Sequence, residues 1–170
     1  MLAPPGTGKT KCIKMLCQYF VEVLGWTPGE EFQTLASQNG MAGRINGATI
    51  HSWGEVPIDE DNIAMQERRK SRKTGGSTMH NKAAGLRFLI IDEISTAALK
   101  LLGTLEKHTA QARQSLQFAM DHLGELLHWG GVNLIVVGDW LQLPAVCAKS
   151  IFRNPFLKDY FRVERNILDM

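Results

Sequence analysis

The sequence predicts an α/β layered domain, a mainly parallel sheet flanked by helices, on three observations. Phe88-Leu89-Ile90-Ile91 and Val132 to Val137 are short β-rich apolar runs bounded by turn signals, the pattern of strands covered on both faces. The stretch between them, Thr96 to His128, is long enough for one or two helices, broken near Gly103 or Gly124. Ahead of both runs, a glycine-rich turn at residues 3–8 opens an amphipathic segment. Helices alternating with apolar strands bury their faces best in layers.

Taken in order, Lys11 to Leu24 places Ile13, Leu16, Cys17, Phe20, Val21 and Leu24 at steps of three and four, a helix closed by Gly25. Phe32 to Ser37 reads as a short strand, and Gln38 to Ile45 as a loop entering a short helix that ends at Asn46-Gly47. Residues 54 to 85 are polar. They carry the basic cluster Arg68, Arg69, Lys70, Arg72 and Lys73, then Thr74-Gly75-Gly76-Ser77, and read as a solvated helix end and a flexible loop without catalysis. At most two or three residues precede the glycine-rich turn, so the expectation is a sheet lacking most of its first strand.

Composition narrows the function classes. The 170 residues are 44% hydrophobic and 21% charged, as in one folded domain and unlike disordered, collagenous or disulfide-stapled chains. Lys and Arg number 19 against 17 Asp and Glu, a formal +2, so charge alone argues for no class of partner. Cys12, Cys17 and Cys147 fit neither a disulfide framework nor a paired zinc motif and read as reduced thiols. No run reaches 18 consecutive apolar residues and no signal-peptide order opens the chain, so an intracellular protein without a membrane partner is expected.

Residues 3–10 read A-P-P-G-T-G-K-T against the pattern G-x-x-x-x-G-K-[ST], with Ala3 at the first glycine position. Gly6 and Gly8 let the backbone curl so that successive N–H groups of Pro5 to Thr10 (proline excepted) converge on phosphate oxygens, and the helix N-terminus adds positive potential. In that reading Pro5, Gly6, Thr7, Gly8, Lys9 and Thr10 bind the nucleotide, with Lys9 reaching its β- and γ-phosphates and the Thr10 hydroxyl holding Mg2+. The competing reading is a plain Gly/Pro turn before a helix.

Leu89-Ile90-Ile91-Asp92-Glu93 puts two carboxylates where an apolar strand ends, the crest on which parallel α/β sheets bind ligands. Asp92 would hold magnesium, directly or through water, and Glu93 would polarise the water that attacks the γ-phosphate. The alternative is a pair of exposed acids capping the next helix, with Ser95 as a further cap. After the second strand, Gly138-Asp139-Trp140-Leu141-Gln142-Leu143-Pro144 places Gln142 where its amide would sense the γ-phosphate of ATP or the attacking water; a plain loop glutamine is the other reading. Trp140 reads as core in preference to a base-stacking residue.

Together A-P-P-G-T-G-K-T, A-T-I-H-S-W, L-I-I-D-E-I-S and G-D-W-L-Q-L-P-A-V, in that order, resemble the first motor domain of the PIF-type DNA helicases, superfamily-one and RecD-like, including the helicase part of Helitron transposons. The resemblance covers about residues 3–155. It implies a RecA-like P-loop NTPase fold, with residues 1–155 as the first motor domain and 156–170 as the start of a connection to a missing second one. It further implies an ATP- and Mg2+-dependent helicase moving 5′ to 3′ on single-stranded DNA or at DNA junctions, in DNA repair, recombination and telomere maintenance, and nuclear or mitochondrial in a eukaryote. Lys9, Glu93 and Gln142 then carry catalysis, and Thr49, His51 and Ser52 fall in the segment placed near the DNA strand; a turn-capping histidine is an equal reading of His51.

Thr96 stands where the family usually has methionine, and Ala145 where a second proline is common. The second RecA-like domain that supplies arginines to the γ-phosphate has no counterpart here, because Arg153, Arg162 and Arg165 read as packing or surface residues. The chain is therefore read as a fragment needing a second RecA-like domain or a partner chain. A ring-forming P-loop ATPase and a catalytically dead remnant of a transposon helicase are the rival readings.

Overall fold

A computed structural model of the chain describes residues 3–56 and 78–139. The order of elements is α1 (Lys9–Glu22), β1 (Phe32–Ala36), α2 (Asn39–Arg44), β2 (Ala48–Thr49), α3 (Ile50–Trp53), α4 (Thr78–Ala83), β3 (Phe88–Asp92), α5 (Leu99–Arg113) and β4 (Asn133–Val136). Short 3-10 turns lie at Ile94–Thr96, Gln117–Ala119 and His128–Gly131. The four strands form one wholly parallel sheet in the order β2-β1-β3-β4. This is the α/β architecture that the alternation of elements predicts.

Two cores sandwich the sheet because side chains alternate across a strand. On one face Leu35, Leu89 and Ile91 pack with Ile50, Trp53, Met79 and Leu105 from α3, α4 and α5. On the other, Phe32, Ala36 and Ile90 pack with Ile13 and Phe20 of α1 and Ala42 of α2. Phe20 anchors the second core, its ring centroid lying 4.9 Å from Trp26, 5.2 Å from Phe32 and 5.3 Å from Phe88. Each such side chain contributes about 1.5–3 kcal/mol of burial.

Several boundaries differ from expectation for physical reasons. Helix α1 starts at Lys9, two residues early, because Gly8 (φ 84) turns the chain straight into it. Val21 and Leu24, expected on its buried stripe, are exposed. Helix α5 passes through Gly103 without a break, since nothing crowds that position, while Gly124 (φ 82) sits in a turn whose N–H groups at Leu123 and Glu125 donate to Asp121 Oδ1. Residues 78–85, within the stretch 54 to 85 expected as a solvated helix end and loop, bring Met79 and Ala83 into the core from a helix at Thr78–Ala83, with Leu86 following at helical spacing. Strand β4 is covered on both faces only in part: Leu134 packs against one core and Ile135 against the other, both half-buried, while Asn133 and Val136 are exposed.

One buried cation ties the amino-terminal end of the sheet to its helices. The Arg113 side chain, 2% exposed, donates from Nε to Gly130 O (2.8 Å) and from Nη1 to Leu86 O (2.7 Å) and to Ala83 O. Its guanidinium also lies 4.9 Å above the Phe118 ring. Burial pulls its pKa below the usual arginine value. No helix of the described residues is long and apolar enough to cross a membrane.

Candidate functional site

The carboxyl ends of the strands form the crest, and register fixes what stands on it. Ala36 pairs with Asp92 on one side and with Thr49 on the other. Thr49 and Asp92 therefore sit two strands apart, about 10 Å at the usual spacing.

The glycine-rich loop lies at this end. Gly6 (φ 76) and Gly8 (φ 84) both adopt left-handed backbone, and a Cβ at either would meet no atom within 4 Å, so the hollow is open. The Thr7 hydroxyl donates to Pro4 O (2.7 Å), bracing the loop from within. Helix α1 begins without a side-chain cap and without an acidic residue in its first turn, which leaves first-turn N–H groups available to an anion. Lys9 is only 7% exposed; its ammonium donates to Ala3 O (2.6 Å) and Pro4 O (2.9 Å). The loop thus combines an open hollow, an uncapped helix start and a lysine amine, the features a phosphate would need.

The loop, Asp92 and the end of β4 meet. Ala3 N–H donates to Gly138 O (3.2 Å), and Ile94 N–H to Val137 O (2.9 Å). Asp92 is 5% exposed. Burial raises its pKa, while the Glu93 N–H on Oδ1 (2.9 Å) and the charge of Lys9 pull it back. Glu93 holds left-handed backbone (φ 51, ψ 44), a costly conformation for a non-glycine residue that clusters at functional sites. Its Oε2 is buried with no hydrogen-bond partner among the described residues.

The acids differ from the exposed capping pair of the alternative reading: Glu93 stands at the N-cap position of the 3-10 turn Ile94–Thr96 without a side-chain cap bond, and Asp92 is buried. Helix α5 starts only at Leu99, with Ala98 before it and no side-chain cap, and Ser95 is fully buried. A nucleotide with its metal fits the residues present: an open cradle of N–H donors, a lysine, a buried carboxylate beside it and an orphaned acceptor on the neighbouring acid. No cluster of three or more His, Cys, Asp or Glu among the described residues forms a metal site of its own.

The other expected residues divide. Thr49 caps α3, its Oγ1 accepting from Ser52 N–H (3.1 Å), and His51 Nδ1 lies 3.2 Å from Val56 O. Both polar groups thus have local structural work, and the Ser52 side chain is exposed. Gln142, Trp140, the basic cluster at residues 68–73, Arg153, Arg162, Arg165 and the segment 156–170 lie outside the described residues.

Sequence reasoning passed over three features of the crest. Asp139 is 1% exposed at the end of β4, and the rule that found Asp92, an acid just past an apolar strand, would have found it. Gly138 is required by close approach, since a Cβ there would lie 2.8 Å from Ile94 Cγ2. The hydroxyls of Ser37 and Thr96, 59 residues apart in sequence, meet at 2.6 Å, which no local pattern signals.

The chain is similar to known proteins in sequence and in fold. The family model described as PIF1-like helicase matches residues 3–157. Protein 030L of Invertebrate iridescent virus 6 is 31% identical over 144 residues, which are 85% of this chain and 24% of that protein. The ATP-dependent DNA helicase PIF1 of Danio rerio is 31% identical over 146 residues, 83% of this chain and 19% of its own length. The chain therefore spans about a fifth to a quarter of these relatives. Among solved structures, a Bacteroides Pif1 helicase in complex with ADP-AlF3 and ssDNA superposes with a TM-score of 0.57 at 25% identity, over 96% of this chain and 30% of that one.

Proposed function

Because the chain belongs to the PIF1-like helicase family, we infer that it is the nucleotide-binding motor domain of an ATP-dependent DNA helicase that couples ATP hydrolysis to movement along single-stranded DNA. The observation that carries this reading is Glu93: a strained acid with an orphaned buried oxygen, next to a buried Asp92 that feels the charge of Lys9. The ADP-AlF3 and ssDNA named for the Bacteroides relative are of the same chemistry.

In the proposed reaction the triphosphate lies along Pro5 to Thr10, and Lys9 leaves the carbonyls of Ala3 and Pro4 to neutralise its β- and γ-oxygens. Thr10 and Asp92 hold Mg2+, which supplies further charge neutralisation when bound. Glu93 orients the attacking water and takes its proton as the bond from the γ-phosphorus to the β,γ-bridging oxygen breaks, releasing ADP and phosphate. Gln142 reports the γ-phosphate, and Thr49, His51 and Ser52 face the DNA strand. Movement 5′ to 3′, service in repair, recombination and telomere maintenance, action at junctions, and nuclear or mitochondrial residence in a eukaryote complete the reading.

A second RecA-like domain or partner chain supplies the transition-state arginine. Among the described residues Arg113 is consumed by carbonyls, Arg87 lies over Trp26 just before β3, some five residues or about 16 Å from the acid end of that strand, and Arg44 is exposed at the end of α2. ATP hydrolysis by the purified chain, with and without single-stranded DNA, tests the reading. Glu93→Gln should keep nucleotide binding and abolish turnover; equal turnover in that variant would refute it.

A further inference from the structure

The left-handed turn at Glu93 is held from a direction that the reaction scheme does not use. Its carbonyl oxygen accepts twice from one residue, from the Thr96 hydroxyl at 2.8 Å and from the Thr96 N–H at 3.0 Å. A threonine hydroxyl has a single proton. With that proton committed to Glu93 O, the 2.6 Å contact between Ser37 Oγ and Thr96 Oγ1 must have Ser37 as its donor. The result is a directed chain, Ser37 O–H to Thr96 O–H to Glu93 C=O, running from the end of β1 to the acid.

We propose that Thr96, with Ser37 behind it, is a positioning residue that fixes the Glu93 peptide and so aims the Glu93 carboxylate. A strained φ persists only where its surroundings over-determine it. Here the peptide N–H of Glu93 is held by Asp92 Oδ1, the next N–H by Val137 O, and the carbonyl by Thr96. Of these three restraints, the side-chain hydroxyl alone also reaches β1.

The inference rests on Glu93 being the acid that orients water, and the experiment separates the two. DNA-stimulated ATP hydrolysis is measured for the chain and for Thr96→Val, Thr96→Ser, Ser37→Ala, the Ser37→Ala/Thr96→Val double variant and Glu93→Gln. Thr96→Val should lower kcat about tenfold with KM for ATP within about twofold, since misplacing a reacting group costs rate rather than binding. Thr96→Ser should restore most of the rate. Ser37→Ala should lower kcat less, and should add nothing in the Thr96→Val background.

Wild-type kcat in Thr96→Val together with a dead Glu93→Gln overturns the positioning role and leaves Glu93 standing; an active Glu93→Gln overturns both. If the wild-type chain turns over no ATP, amide exchange at residues 93–96 decides. Faster exchange by about tenfold in Ser37→Ala and Thr96→Val, and not in Thr96→Ser, upholds the proposal, and unchanged exchange overturns it. Should Thr96→Val fail to fold, Ser37→Ala is read alone by the same criteria.

Discussion

Ala3 and Gly138 are joined by a backbone hydrogen bond of 3.2 Å, from the N–H of the first to the carbonyl of the second. The residue that opens the glycine-rich loop is therefore tied to the turn that leaves β4. Gly138 in turn lies against the acidic turn, where a Cβ would stand 3.4 Å from both Ile94 N and Ser95 N and closer still to Ile94 Cγ2. Loop, acid and strand end share one joint.

A methyl group at that joint has nowhere to go. Gly138→Ala should destabilise the chain by about 1–3 kcal/mol through overpacking and weaken nucleotide binding with it. Urea unfolding and titration with a fluorescent ATP analogue measure the two effects; a fully stable variant with normal affinity would contradict the geometry.

Lys9→Ala removes the only side-chain cation described inside the cradle. Affinity for MgATP should fall at least about tenfold, as expected for loss of a charge-assisted contact to phosphate. The helical signal should hardly change, because α1 is anchored by Ile13 and Phe20. Circular dichroism and the same titration check both halves.

Asp92 predicts a trade of stability against function. Its pKa is raised in the folded chain, chiefly by burial. The folded state therefore binds the proton more tightly than the unfolded state, so this group stabilises below the ordinary carboxylate pKa and loses that contribution as pH rises through its folded value. At neutral pH the ionised carboxylate is a cost. Asp92→Asn keeps an oxygen for the Glu93 N–H and should melt higher than wild type at pH 7, with the gap closing in acid. MgATP should raise the wild-type melting temperature and not that of the variant.

Arg113→Ala would leave the carbonyls of Leu86 and Gly130 without their donor, while Ala83 O keeps the Leu86 N–H at 3.2 Å. At about 1–3 kcal/mol for each unsatisfied acceptor, the loss should reach roughly 2 kcal/mol or more. Chemical denaturation measures it. A loss under about 1 kcal/mol would mean that water replaces the guanidinium.

Local geometry was legible in the sequence, and long-range contacts were not. The turn into α1 could be read because Gly6, Gly8, Lys9 and Thr10 are consecutive and the left-handed backbone at the two glycines follows from sterics alone. The place of Asp92 and Glu93 at a strand end could be read because an apolar run announces β3. The sheet order among the described residues and the helix at Thr78–Ala83 depend on what packs against what; there, polar neighbours concealed the Met79, Ala83 and Leu86 spacing. The Ser37 to Thr96 contact and the Arg113 clamp join segments far apart in the chain, and nothing at either end advertises the other.

The clamp also orders the folding of the domain. Arg113 bonds carbonyls 17 to 30 residues away, on two separate stretches. Stripping water from a guanidinium is repaid only when all of those acceptors have arrived, and each arrival requires a loop to close. The bonds therefore form late, on the native side of the folding barrier. Weakening them, as in Arg113→Lys, should leave the refolding rate nearly unchanged and quicken unfolding, which makes this one side chain a determinant of how long the folded domain survives between unfolding events.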